Sequence, residues 1–205
     1  MNVTEVVLVR TGVANVASVR AAFTRLNVAV RDARDADDVA RAEAIVLPGV
    51  GAFGAAMHEL TTSGLADALR TRVADGRRTL AICLGLQLLC ERSEESPEVP
   101  GLGVLPVDVV RFAPPVRVPQ LGWNAVTADR DARLLDSGTA FFANSFCVRT
   151  APPGWTAARA NHGGTFVAAL ERGAVLACQF HPELSGAFGL SLLSRFVACE
   201  GGLRC

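Results

Sequence analysis

Thr79-Leu80-Ala81-Ile82 is an apolar run bounded upstream by Asp75-Gly76-Arg77-Arg78, and Cys83-Leu84-Gly85-Leu86-Gln87 follows it without a break. A β-branched Thr79 followed by three apolar residues reads as a short buried strand. From Gly85 to Arg92 the apolar positions recur at helical spacing. Cys83 therefore stands on the turn between a strand and a helix. Small residues at Ala81 and Gly85 leave room for a tight elbow that lifts one side chain above the sheet edge. A thiol there faces the unpaired N–H groups of a helix N-terminus, which favour the thiolate. Most cysteines are small buried core residues, and the elbow alone leaves both readings open.

A second stretch far downstream narrows the choice. In Val175-Leu176-Ala177-Cys178-Gln179-Phe180-His181-Pro182-Glu183 the first six residues read as a strand, which Pro182 ends by removing a ladder donor. His181 and Glu183 follow two residues apart and so point to one side. A histidine oriented by a carboxylate can deprotonate a cysteine across a sheet edge, the arrangement of nucleophile, base and orienting group. An elbow cysteine followed by Gln-Phe-His-Pro-Glu resembles the class I (triad) glutamine amidotransferases, and the resemblance covers essentially the whole chain. It implies an α/β fold with a flavodoxin-like, mostly parallel central sheet flanked by helices. It also implies a triad of Cys83, His181 and Glu183.

Composition sets the outer limits. A length of 205 residues with 50% hydrophobic and 20% charged residues fits one domain, 1–205, with a sizeable core. Lys plus Arg, 20, equals Asp plus Glu, 20, so no basic footprint points to nucleic acid or an anionic membrane. Met1 to Glu5 lacks the basic and apolar regions of an export signal, and no apolar run reaches membrane-spanning length, so a cytoplasmic protein is expected. Six cysteines without a Cys-x-x-Cys pair, four of them (Cys90, Cys147, Cys178 and Cys199) in apolar surroundings, read as reduced core residues rather than disulfides or zinc ligands.

Taken in order, Glu5–Val9, Val28–Arg31 and Ala44–Leu47 read as strands alternating with helices, the pattern of a parallel sheet covered on both faces. Asn15 or Ser18 is a candidate cap for the first helix, and the charged run Asp32 to Arg41 is a solvated face. Ligands in such sheets bind beyond the C-terminal strand ends. There the third strand runs into Pro48-Gly49-Val50-Gly51-Ala52-Phe53-Gly54, whose glycines permit positive φ and close approach to a ligand. His58 reads as a surface or packing residue. From Gly103 to Val148 the strands are short and separated by Pro, Gly and Asp, which predicts antiparallel pairing. Asn161-His162-Gly163-Gly164 is a hairpin turn in composition, and Ser185 is expected to cap the last helix.

The resemblance implies more at particular positions. The Val50–Gly51 peptide and the N–H of Leu84 would form an oxyanion hole. Gly49, Gln87, Glu95, Asn144, Ser145 and Phe146 would bind the substrate glutamine, Glu95 meeting its ammonium group. Pro119-Gln120-Leu121-Gly122-Trp123-Asn124, with Pro-Gly-Val-Gly upstream and His-Pro-Glu-x-Ser-Gly downstream, is similar to the glutaminase subunit of imidazole glycerol phosphate synthase. That subfamily acts as a heterodimer with a cyclase subunit, passes it ammonia for histidine biosynthesis, and needs no metal or cofactor. Asn15, Gln120, Trp123 and Leu184 would lie at the interface. Four positions depart from the pattern: Arg10-Thr11-Gly12 in the first turn, Ala81 in the elbow, Asn144 where histidine is common, and Leu184 where lysine is. Three other readings stay open: the glutaminase of a pyridoxal phosphate or anthranilate synthase, a stand-alone γ-glutamyl hydrolase, and a catalytically idle binding module.

Overall fold

The computed structural model describes residues 3–11 and 16–198; Gly12, Asn15, Cys199 and Cys205 lie outside the described residues. The first half contains β1 (Glu5–Leu8), α1 (Val16–Thr24), β2 (Ala29–Asp32), α2 (Ala36–Arg41), β3 (Ile45–Gly49), α3 (Phe53–Thr62), α4 (Leu65–Ala74), β4 (Thr79–Cys83) and α5 (Leu84–Leu88). The second half adds β5 (Cys90–Ser93), β6 (Leu105–Arg111), β7 (Gln120–Ala128), β8 (Gly138–Asn144) and β9 (Phe146–Val148). It ends with β10 (Thr156–Asn161), β11 (Thr165–Arg172), β12 (Val175–Cys178), a 3₁₀ turn at Pro182–Leu184 and α6 (Gly186–Ala198). No helix among these residues is long and apolar enough to cross a membrane.

The main sheet runs β2-β1-β3-β4-β12-β11-β10-β7-β8. It is parallel from β2 to β12 and antiparallel from there to β8. Strand periodicity explains how it becomes a middle layer, because successive side chains point to opposite faces. Val6, Leu8, Val46, Leu80 and Ile82 join one apolar cluster with Phe23 of α1 and Leu193 of α6. Val7, Val9, Ile45, Leu47 and Ala81 join the other with Met57 and Leu60 of α3 and Leu69 of α4. Two cores thus hold β4 and β12 rigidly at the centre of the sheet, where they deliver Cys83 and, three residues past β12, His181.

Several expectations need correction. The helix after Cys83 ends at Leu88, and Cys90–Ser93 is a strand, although helical spacing runs on to Arg92. The carbonyls of Leu88, Leu89, Cys90 and Glu91 are taken instead by backbone N–H groups of residues 101–105. Strand β6 pairs antiparallel with β9, as expected, but parallel with β5 in a separate three-stranded sheet. The charged run from Asp32 is not wholly solvated. Asp35 caps α2 by accepting from the Asp38 N–H at 2.8 Å, and the buried Asp38 carboxylate binds Arg31 through both oxygens. The Arg31 guanidinium holds the Asp38 carboxyl well below the usual carboxylate range.

Candidate active site

The elbow is strained and braced. Cys83 has φ 54 and ψ −109, a positive φ that a residue with a Cβ adopts at a cost of about 1–3 kcal/mol. Its strand lies between β3 and β12, with Gly49 of β3 opposite Cys83 in register. A Cβ on Gly85 would lie 2.0 Å from the Leu47 carbonyl oxygen, so α5 rests directly on the backbone of β3. Glycine is required there for close approach, and this contact fixes the direction in which the chain leaves Cys83.

His181 is held from three sides. Its N–H donates to the Phe141 carbonyl at 2.9 Å, which ties it to β8. Its carbonyl accepts the Ser185 hydroxyl at 2.6 Å, while Ser185 Oγ accepts the Phe141 N–H at 2.9 Å. The Ser185 side chain is therefore occupied in bracing His181, and the expected cap of α6 is not made. On the ring, Nδ1 meets Glu183 Oε1 at 2.8 Å. Burial acts to lower the His181 pKa, but the neighbouring Cys83 and Glu183 outweigh it and push it up to about 10. With Nδ1 taken by the carboxylate, Nε2 is the ring nitrogen left to exchange a proton with the thiol.

Beside Cys83 lies a cavity of about 160 Å³ lined by Val50, Gly51, Leu84, Gln87, Glu95 and residues 143–146. The structure thus brings together most of the predicted site. Gly51 is at φ 100 with open space around its Cα. Gly49 stands apart from the lining: it belongs to β3, and a Cβ there would press on Leu84 at 2.8 Å. Glu95 Oε2 accepts the Phe53 N–H at 2.8 Å, and Ser96 Oγ accepts the Gly54 N–H at 3.2 Å. These two side chains satisfy the N-terminus of α3, whose own preceding residue, Ala52, offers no side-chain cap. Asn144 Nδ2 donates to the Phe146 carbonyl at 2.9 Å, while its buried Oδ1 has no partner.

Gln179 was not singled out by the sequence, although it lies inside the Gln-Phe-His-Pro-Glu run. It is fully buried, donates to Cys83 Sγ at 3.6 Å, and accepts from Gln87 Nε2 at 3.0 Å. Its only sequence signal was a polar residue directly after the apolar run of β12. A wider cleft of about 430 Å³ beside α3 and α4 includes His58, but its Asp67 and Arg70 are paired with each other and it lies apart from Cys83. His162 is structural, its Nε2 lying 2.8 Å from the Arg117 carbonyl oxygen. Cys90, Cys147 and Cys178 are buried and free, and burial pushes the Cys147 thiol up to about 11.

Of the four residues expected at an interface, Asn15 lies outside the described residues. Gln120 is buried, with Oε1 unpartnered. Trp123 and Leu184 are exposed, at 59% and 37%, and Leu121 on the same face of β7 is exposed at 71%. A Cβ on Gly186 would touch the Trp123 ring at 3.9 Å, which places Trp123 beside the turn carrying Leu184.

Known proteins carry the same organisation. Residues 8–198 match the family described as glutamine amidotransferase class-I. The chain is 45% identical over 188 residues to imidazole glycerol phosphate synthase subunit HisH of Rhodopirellula baltica, covering 89% of this chain and 92% of that one. It is 41% identical over 201 residues to the chloroplastic imidazole glycerol phosphate synthase hisHF of Arabidopsis thaliana, covering 94% of this chain but only 34% of that longer protein. Among solved structures, a glutamine amidotransferase superposes with a TM-score of 0.75 at 25% identity, covering 94% of this chain and 97% of that one. Fold, site geometry and sequence therefore agree, and the chain belongs to the class-I glutamine amidotransferase family.

Proposed function

We propose that this chain is the glutaminase subunit of a cytoplasmic imidazole glycerol phosphate synthase, with residues 1–205 forming one amidotransferase domain and a cyclase subunit as its partner. One observation carries the chemistry: Cys83 at a strained elbow next to a His181–Glu183 pair, beside a cavity that also presents Val50, Gly51 and Leu84. The Cys83 thiolate, its proton held by His181, attacks the side-chain carbonyl carbon of glutamine. The C–S bond forms as the carbonyl π pair moves onto oxygen, where the Val50–Gly51 peptide and Leu84 N–H groups meet it. Collapse breaks the C–N bond, His181 protonates the leaving nitrogen, and ammonia departs from a glutamyl thioester. Water then attacks that carbonyl carbon, giving its proton to His181; the C–S bond breaks, the proton returns to sulfur, and glutamate is released.

The HisH name of the Rhodopirellula relative and the longer Arabidopsis hisHF favour a cyclase as the consumer of ammonia. The exposed Leu121, Trp123 and Leu184 give such a partner an apolar surface close to His181. The test is glutamate release from glutamine by the chain alone, with a cyclase subunit, and with that subunit plus its phosphoribulosyl ligand, beside Cys83→Ala. Release that requires both additions and vanishes in the variant is the expected result. Full release by the chain alone would point to a free-standing γ-glutamyl hydrolase instead.

A further inference from the structure

We propose that Gln179 is a positioning residue for the nucleophile, aimed at Cys83 Sγ by a relay of amides that begins at the Phe146 carbonyl; this rests on the reading of Cys83 as nucleophile. The direction of the relay follows from its fixed end. A backbone carbonyl only accepts, so the atom of Gln87 that lies 3.2 Å from the Phe146 oxygen is its amide nitrogen. The same nitrogen lies 3.0 Å from Gln179, which must therefore turn its oxygen toward Gln87. That leaves Gln179 Nε2, 3.6 Å from Cys83 Sγ, as a donor pointed at sulfur. Asn144 Nδ2 adds a second donor to the Phe146 oxygen at 2.9 Å, so both lone pairs of that carbonyl are used. The order is not free to reverse, because flipping either glutamine would set two donors or two acceptors face to face in a buried site.

The consequence is mechanical and electrostatic. Gln179 is 0% exposed, and its own N–H is fixed to the Ala168 carbonyl at 2.8 Å. Sulfur therefore has a rigid donor at Gln179. An N–H at Sγ takes a lone pair and leaves the thiol proton for the imidazole. The same relay runs through Gln87 to the loop of Asn144 and Phe146 that lines the cavity, so the nucleophile and the pocket floor share one hydrogen-bonded frame.

The test uses Gln179→Met, which keeps the length and removes both polar ends. Its readouts are alkylation of Cys83 by iodoacetamide, followed by peptide mass, and glutamine hydrolysis by the chain with its cyclase partner. Expected is a fall of about tenfold or more in both the alkylation rate and kcat, with KM within about threefold and the far-UV spectrum retained. A structural role alone would change the melting temperature and leave the alkylation rate of folded protein unchanged. Wild-type alkylation in folded Gln179→Met overturns the proposal. If that variant does not fold, Gln87→Met releases Gln179 from the other end of the relay, and there too wild-type alkylation overturns it. Hydrolysis surviving in Cys83→Ala would instead overturn the nucleophile assignment, so the two failures are distinct.

Discussion

His181 and Glu183 show what two residues of spacing accomplish when the backbone between them is a single tight turn. Glu183 Oε1 fixes Nδ1 at 2.8 Å, and Nε2 is left for the thiol of Cys83. Glu183→Gln keeps the shape but removes the charge, so the ring loses both its orientation and the stabilisation of its protonated form. A fall in kcat of about 10²–10⁴-fold with little change in KM is expected, measured as glutamate release with the partner present. The pH dependence has a definite sign. The folded-state value of His181 is raised from 6.5 to about 10, so its protonated form favours folding. That contribution is complete below the unfolded value near 6.5 and is lost as pH rises through about 10. Melting temperature against pH should therefore fall more steeply between those values in the wild type than in His181→Gln.

At the scale of elements, the elbow depends on α5 lying against β3. Gly85→Ala would place a methyl carbon 2.0 Å from the Leu47 carbonyl oxygen, where no side chain can yield. The expected cost is about 3 kcal/mol or more, seen as a lowered melting temperature together with loss of glutaminase activity. Wild-type stability in that variant would refute the close packing. The elbow was legible in the sequence because strand, small residue and helix signals are all local, and the pairing of His181 with Glu183 two positions on was legible for the same reason. What was not legible was set by distant chain. Nothing near Leu88 announces that residues 101–105 will take the carbonyls of Leu88 to Glu91 and end α5. Glu95 and Ser96 give no local sign that they cap α3 across 42 residues of chain. Ser185 looked like a cap because it precedes a helix, yet its hydroxyl serves the His181 carbonyl and the Phe141 N–H.

Across the whole molecule the two ends of the parallel strands are treated differently. At the entry end, the buried Arg72 guanidinium donates to the carbonyls of Val39, Ala42, Glu43 and Arg78, fastening the residues that lead into β3 and β4. At the exit end lie the elbow, the loop through Gly51 and the turn of His181. Alongside that turn stand the exposed Leu121 and Trp123, the latter with its ring 6.0 Å from Phe141. Phe141 in turn accepts the His181 N–H, so the apolar surface is one residue removed from the backbone that carries the histidine. Large exposed apolar side chains clustered on one face mark an interaction site, and buried tryptophans dominate the energy of such contacts. If a cyclase subunit docks here, Trp123→Ala should weaken association by about 2 kcal/mol or more, roughly thirtyfold, in a titration of the two purified chains. Because Trp123 is 59% exposed in the chain alone, its melting temperature there should change by only a few degrees. Unchanged affinity in a folded Trp123→Ala would place the partner on another face and leave the apolar surface unexplained, whereas loss of affinity without loss of stability would join the docking surface to the wall of the catalytic site.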